Sequence, residues 1–220
     1  MENFVVAIDG PAGSGKSTIA KIIGKDYGLT YLDTGAMYRM VALYTLKNNI
    51  SLENKEEIVN ALEKIEIDIQ GEKFILNGED VSKEIRTPEV ASIVSPVAAI
   101  KEVRVKLVEL QREISSGKKV ILDGRDIGTV VFPKADLKIF LVASPEERAK
   151  RRMKDYESKN IKENFEEVLA SIKERDHIDS TRKESPLKKA EDAIEIDTSF
   201  LNISEVVDKI SSLINNRIGR

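Results

Sequence analysis

The sequence predicts an α/β fold in which a parallel sheet is covered on both faces by helices, with a small antiparallel β insertion standing outside it. Three observations carry that prediction. Short apolar runs rich in β-branched residues, as a strand buried on both faces requires, occur at 4–8, 120–123 and 137–142. Between them the apolar residues recur at helical spacing, as in Ile19, Ala20, Ile22, Ile23 and Tyr27. From 65 to 81 the period falls to two, and Asn77-Gly78 marks a tight hairpin turn.

Taken in order, the strand at 4–8 runs into Gly10, Pro11, Ala12, Gly13, Ser14, Gly15, Lys16 and Ser17, which match G-x-x-x-x-G-K-[ST] at every specified position. A buried strand before and an amphipathic helix after is the context in which backbone N–H groups and a helix N-terminus converge on phosphate oxygens. The three glycines supply the tight backbone, Lys16 a mobile charge for the β- and γ-phosphates, and Ser17 a hydroxyl for Mg²⁺. A short second strand is expected at 29–33, and a helix opening at 34 carries Met37, Val41, Ala42, Leu43 and Leu46. This puts Thr34 and Arg39 near the C-terminal edge of the sheet, where open α/β sheets place their ligands. Ser51 with Glu53 is expected to start the next helix, with Ile58, Val59 and Leu62 inward.

After the β insertion, one helical pattern runs from Pro88 through Val90, Ile93, Val94, Val97, Ile100, Val103, Leu107 and Leu110 to Ile114, closed by Gly117. The strand at 120–123 ends on the carboxylate of Asp123, and 124–128 reads as a loop. The strand at 137–142 is followed by Ser144, Pro145, Glu146 and Glu147, a helix start with proline at the first helical position and acids in the first turn. That helix carries Arg148, Lys150, Arg151, Arg152 and Lys154, a run that reads as a solvated face or as a surface for a polyanion. Residues 156–163 are polar and break the apolar period, as a mobile segment between two helices does. Helix resumes at 165–173, and 174–182 is dense in charge. A final strand is expected at 193–197, and Asn202 with Glu205 resembles a capping box for a last helix built on Ile203, Val206, Val207, Ile210 and Leu213.

With 220 residues, 41% of them hydrophobic, the chain is long enough to bury one sizeable core, and one compact unit is expected. A net charge of −3 argues against nucleic acid as the main partner. Cysteine is absent and histidine occurs once, which leaves carboxylates, hydroxyls and phosphates as metal ligands and points to Mg²⁺ brought with a nucleotide. The apolar run after Met1, Glu2 and Asn3 is too short for a signal peptide, and no stretch approaches membrane-spanning length. A cytoplasmic protein is the expectation.

A P-loop alone does not separate kinases from motors, transporter ATPases or GTPases. The guanine-reading Asn-Lys-x-Asp pattern is missing, since Asn54-Lys55 continues into Glu56-Glu57. What remains is a set of arginines, Arg39, Arg104, Arg125, Arg175 and Arg182, each in or beside an expected loop or helix end. Guanidinium forks suit phosphate oxygens, and several of them with one P-loop imply a second phosphorylated ligand. A kinase with a phosphate-bearing acceptor is the sharper reading. Its rivals are a P-loop kinase for another small molecule and a nucleotide-binding switch whose arginines serve a protein partner.

The segments Ile-Asp-Gly-Pro-Ala-Gly-Ser-Gly-Lys-Ser from Ile8, Leu-Asp-Thr-Gly-Ala-Met-Tyr-Arg from Leu32, Asp-Gly-Arg-Asp-Ile-Gly-Thr-Val-Val-Phe-Pro from Asp123 and Lys-Glu-Arg-Asp from Lys173 together resemble the bacterial cytidylate kinases. The similarity covers essentially the whole chain. It implies transfer of the γ-phosphoryl group of ATP to CMP or dCMP with Mg²⁺, by a cytoplasmic monomer of pyrimidine metabolism. It also implies a nucleoside-monophosphate-kinase fold with a five-stranded parallel core in a single domain, 1–220. Within that domain the resemblance implies a monophosphate-binding region at 34–104, which includes the β insertion 65–81, and a lid at 151–165.

Residue by residue, the resemblance assigns Gly10, Pro11, Ala12, Gly13, Ser14, Gly15, Lys16, Ser17 and Thr18 to ATP. It assigns Arg39, Arg125 and Arg182 to the acceptor phosphate, and Ser95, Arg104 and Asp126 to the cytosine edge. Thr34, where the family commonly has serine, stands near the base, Tyr38 joins the CMP-binding set, and Arg175 and Asp179 contact the ribose. The cytosine N4 amino group suits a carboxylate such as Asp126, while O2 and N3 suit Arg104 and Ser95. A blander role for Asp126 is a cap beside Arg125. Asp123 either holds Mg²⁺ through water or caps its loop. Arg151 and Arg152 are expected on the donor phosphates and, with Lys16, Arg125 and Arg182, form the catalytic set, while Arg148 is either phosphate-facing or structural. No general base is required. His177 matches no specified position and is expected to be exposed.

Overall fold

Strand β1, Phe4–Asp9, is buried along nearly its whole length because it is the middle strand of the sheet. It pairs in parallel with β6, Lys119–Gly124, on one side and with β7, Leu137–Val142, on the other. β7 pairs in parallel with β8, Ile194–Asp197, and β2, Thr30–Asp33, lies beyond β6, giving the order β2-β6-β1-β7-β8. This is the five-stranded parallel sheet that the apolar runs predict. Helices α1, Lys16–Tyr27, and α8, Ile203–Ile218, bury Ile19, Ile23, Val206, Ile210 and Ile214 against Val6, Ile8, Ile121, Ile139 and Leu141. The computed structural model describes residues 3–158 and 160–219; Met1, Glu2, Lys159 of the expected lid and Arg220 lie outside the described residues.

The chain gathers into two compact units, Met1–Leu32 with Ser115–Arg220, and Asp33–Ile114. In the second, α2, Thr34–Lys47, and α3, Lys55–Glu63, precede an antiparallel sheet of β3, Ile67–Gln70, β4, Lys73–Leu76, and β5, Glu79–Asp80. Asn77 and Gly78 both take positive φ, 50° and 84°, as a tight two-residue hairpin with the native strand twist requires. Met37, Met40, Val41, Ile58, Phe74, Leu76, Ile85 and Leu107 form the core of this unit.

Four local expectations are corrected. The helix expected from Ser51 begins at Lys55, because the Asn54 side chain accepts the Glu57 amide at 3.2 Å and so caps it. The single helix expected from Pro88 is two, α4, Pro88–Ala99, and α5, Lys101–Ser115, separated by Ile100 in extended conformation. The apolar spacing continues across that break, so periodicity does not reveal it. The break is held by Ile100 accepting the Arg104 amide at 3.1 Å and by the Arg104 guanidinium donating to the Ala98 carbonyl at 3.0 Å. Helix α6, Pro145–Ser158, includes 156–158, because Tyr156 packs with Met153, Val168, Leu169 and Ile172. Helix α7, Phe165–Thr181, runs through the charged stretch, since Glu174, His177 and Ser180 face solvent while Ile172 and Asp179 are buried. Arg175 and His177 are therefore helical, and His177 is exposed as expected. Among the described residues no helix is long and apolar enough to cross a membrane.

Candidate functional site

Immediately after β1 the chain turns so closely against β7 that a Cβ at Gly10, φ 151°, would lie 2.1 Å from the Leu141 carbonyl oxygen. Gly13, φ 77°, rests on α6, where a Cβ would come 3.3 Å from Cβ of Arg148. Gly15 then leads into α1, which starts at Lys16 without a side-chain cap, so the first amides of the helix are not taken up by one. Inside the loop, Lys16 Nζ donates to the Pro11 carbonyl at 2.7 Å and to Ser14 Oγ at 3.3 Å. Burial, with the Arg125 guanidinium nearby, lowers the Lys16 pKa to about 7, against the attraction of Asp123, Asp9 and Asp179. An anion in the loop offers this ammonium a stronger partner than a neutral carbonyl does.

At the start of α1, Ser17 Oγ donates to Asp123 Oδ2 at 2.8 Å, and Tyr31 OH donates to Asp123 Oδ1 at 2.8 Å. The end of β6 thus delivers a carboxylate to the serine of the P-loop. Among the described residues no three His, Cys, Asp or Glu side chains converge as a metal cage. A hydroxyl and one carboxylate suit a hard cation that takes its other oxygens from phosphate and water.

Asp179 of α7 gathers two of the arginines. Arg125 Nε donates to its Oδ2 at 2.9 Å, and Arg182 Nη1 lies 3.6 Å from its Oδ1. Burial works to raise the Asp179 pKa, but Arg125, Arg182 and Arg175 together pull it below the ordinary carboxylate value. Arg182 also donates twice to the Ser185 carbonyl, at 2.9 and 2.7 Å, which fixes the direction of its fork. Asp126 is buried and its side chain makes no cap bond to the π-helical turn Ile127–Val131 that follows, where a loop was expected. Its carbonyl accepts the amides of Val130 and Val131 at 2.8 and 3.2 Å.

The Arg148 guanidinium is engaged by protein groups. It is 2% exposed, donates to the carbonyls of Ala143 at 2.9 Å and Ala12 at 3.1 Å, and pairs with both oxygens of Asp176 at 3.0 and 2.5 Å. It thereby ties α6, α7 and the P-loop together. Arg151 donates from both Nη atoms to Thr198, whose hydroxyl reaches the Ser14 carbonyl at 3.4 Å. Arg152 instead sits over the Tyr156 ring, 5.3 Å from its centroid.

In the second unit, Thr34, Tyr38, Ser95 and Arg104 are all buried. The Arg104 guanidinium lies 5.2 Å from the centroid of the Tyr38 ring, so α2 and α5 bring these two together. Asp33 caps α2 by accepting the Ala36 amide at 2.9 Å, which sets Thr34 at the first helical position. Arg39 donates to the Ile85 carbonyl at 3.4 Å.

Four side chains that hold this machinery were not singled out by sequence: Asp9, Tyr31, Asp176 and Thr198. Asp9 carried a usable signal, since it follows an apolar run in the sequence just as Asp123 does. The others are ordinary residues until the fold gives them partners.

Comparison with known proteins finds relatives that match nearly the whole chain. The sequence profile of the family described as Cytidylate kinase matches residues 6–216. A protein of Fusobacterium nucleatum named Cytidylate kinase is 60% identical over 214 residues, covering 97% of this chain and 98% of the relative. One of Clostridium tetani with the same name is 52% identical over 214 residues, covering 97% and 95%. Among solved structures, an uncharacterized protein from Eubacterium ventriosum aligns with a TM-score of 0.52 at 13% identity, covering 96% of this chain and 98% of that one, a likeness of fold alone.

Proposed function

The chain belongs to the cytidylate kinase family, and on that premise we propose that it transfers the γ-phosphoryl group of ATP to CMP and dCMP, giving CDP and dCDP. The observation that carries this reading is the P-loop with its inward Lys16, in the same unit as the Arg125 and Arg182 pair held by Asp179. Phosphoryl transfer needs alignment and positive charge on the moving group more than covalent chemistry. Lys16 and the amides Gly13 to Thr18 bind the donor phosphates, Lys16 exchanging the Pro11 carbonyl for phosphate oxygen. Arg125 and Arg182 hold the acceptor phosphate, pre-oriented by the Asp179 carboxylate, and Arg39 adds a third guanidinium. Arg151, anchored beside the loop by Thr198, and Arg152 serve the donor phosphates when the lid, 151–165, closes.

Ser17 and Asp123 would hold Mg²⁺, the carboxylate through water, and the ion would supply positive charge to the donor phosphates. Tyr31 fixes the orientation of Asp123. In the region 34–104, Arg104 and Ser95 serve the O2 and N3 acceptors of cytosine and Thr34 and Tyr38 line the base; Asp126, from outside that region, accepts from its amino group. Arg175 and Asp179 serve the ribose. The enzyme acts as a monomer in the cytoplasm, a reading that rests on the family resemblance.

One panel tests the assignment: ATP and Mg²⁺ with CMP, dCMP, UMP, AMP and no acceptor. Acceptor-dependent ADP release with CMP and dCMP is expected. Asp126→Ala should lower kcat/KM for CMP much more than for UMP, because a site built for an amino donor rejects an acceptor by up to roughly 10⁴-fold. Arg39→Ala should weaken both nucleotides alike. ADP release that ignores the acceptor marks a nucleotide switch, and an unchanged CMP-to-UMP ratio in Asp126→Ala moves base selection elsewhere.

A further inference from the structure

Asp9 is the last residue of β1, one position before the P-loop, yet its carboxylate is spent on a different segment. Oδ1 accepts the Ile127 amide at 2.8 Å and Oδ2 accepts the Gly128 amide at 2.7 Å. The side chain is buried, at 4% exposure. Two consecutive amides bound to the two oxygens of one carboxylate fix both the position and the rotation of that stretch of backbone. On the other side, the Asp126 carbonyl is engaged by the amides of Val130 and Val131. The peptide that follows Asp126 is therefore held on both sides, its N–H by Asp9 and its C=O by Val130 and Val131, which fixes the backbone from which the Asp126 side chain departs.

We propose that Asp9 is a positioning residue for acceptor selection: by clamping the amides of Ile127 and Gly128 it fixes where the Asp126 carboxylate stands, without touching either nucleotide. This rests on the reading of Asp126 as the group that meets the cytosine amino group. A neutral side chain of similar size can satisfy one amide; an ionised carboxylate satisfies two, with shorter and stronger charge-assisted bonds. The arrangement is costly. Burial, with the neighbouring Asp126 charge, raises the Asp9 pKa to about 6 even though both amides and Lys16 favour the ionised form. The space is also tailored: a Cβ at Gly128 would come 3.3 Å from Asp9 Oδ2 and 3.1 Å from Cδ of Lys138. Lys138 does not give way freely, since its Nζ is held by the Pro133 carbonyl and Asp192.

The test compares Asp9→Asn, Gly128→Ala and Asp126→Ala with the parent enzyme. It reads kcat/KM for CMP and for UMP, the KM for ATP, and folding by circular dichroism and thermal melting. In Asp9→Asn the amide NH₂ faces one backbone N–H, so one clamp bond is lost and replaced by an opposed pair of donors. The CMP-to-UMP ratio should fall about 10-fold, the equivalent of one buried hydrogen bond, while the KM for ATP stays within about threefold. Gly128→Ala should shift the ratio the same way by a smaller factor. If Asp126→Ala collapses the ratio while folded Asp9→Asn and Gly128→Ala keep it, the positioning role is overturned and the reading of Asp126 stands. If Asp126→Ala keeps the ratio, the reading of Asp126 falls and the proposal with it. Equal losses for CMP and UMP in Asp9→Asn, with a raised KM for ATP, show a general structural role and also overturn it. Should Asp9→Asn fail to fold, Gly128→Ala decides by the same criterion.

Discussion

Removing Asp176 should destabilise the protein by about 2–3 kcal/mol, because it strands a buried guanidinium. Arg148 makes four hydrogen bonds, and its only carboxylate partner in them is Asp176, bound at both oxygens. Breaking a fully buried ion pair on one side costs about 3–5 kcal/mol. Here the Arg148 side chain is 3% exposed but that of Asp176 is 26% exposed, so water admitted at the Asp176 end relieves part of the loss. For a chain of this size that is a fall in Tm of about 5–10 °C. Asp176→Asn keeps a carbonyl acceptor and should cost about 1 kcal/mol, near one ordinary hydrogen bond. The assay is thermal and urea unfolding of the parent, Asp176→Ala, Arg148→Met and the double variant. The double variant should melt above the sum of the two single losses, giving a coupling of about 2 kcal/mol. Since Arg148 also supports the Ala12 carbonyl of the P-loop, Asp176→Ala should raise the KM for ATP more than that for CMP. An Asp176→Ala melting curve within 1 °C of the parent, or a coupling near zero, refutes the reasoning.

Lys16→Ala should fold and melt like the parent yet lose turnover by orders of magnitude; near-parental CMP phosphorylation contradicts its assignment to the transferring phosphate. Hydrogen exchange across 156–164 should slow when CMP and a non-hydrolysable ATP analogue bind together, and unchanged exchange at saturation removes the lid from this location. The folded Asp179 carboxyl titrates below its ordinary value of 3.8, so its stabilisation is fully present above about pH 4 and is lost as pH falls through the folded value. Asp179→Asn should accordingly flatten the acid limb of the stability curve, and an unaltered limb shows that the Arg125 and Arg182 contacts contribute nothing to folding.

Much of the protein is legible in its sequence, for identifiable physical reasons. The P-loop is a contiguous motif whose glycine geometry and lysine depend on neighbours in the chain. The parallel strands announce themselves because burial on both faces forbids alternation. The hairpin at Asn77-Gly78 and the Asn202/Glu205 capping box are likewise local events, and both occur as read. The family motifs add the residues proposed to bind the acceptor. The errors are of another kind. The break at Ile100 is invisible because its stabilising partner, the Arg104 guanidinium on the Ala98 carbonyl, is a side-chain contact and not a change in period. The extension of α6 through Ser158 depends on Tyr156 finding Val168 and Ile172 on another helix, and charged α7 stays helical because Glu174, His177 and Ser180 face solvent while Asp176 and Asp179 find arginine partners on neighbouring segments.

What the sequence by itself determined is the sheet, the phosphate loop and the identity of the charged residues. What only tertiary structure decided is which partners those charges find within the protein. Arg148 and Arg151 lie three residues apart in one basic run, yet one is locked to Asp176 beneath the P-loop and the other is anchored at its side by Thr198. Asp9 and Asp123 stand at the C-terminal ends of neighbouring strands, one last and the other next to last, but one clamps the amides of Ile127 and Gly128 and the other meets Ser17 and Tyr31. The reason is that an ionised side chain in a low-dielectric interior takes its role from whichever opposite charge or amide lies within about 3 Å, and for Asp9 those partners come from up to 119 positions away in the chain.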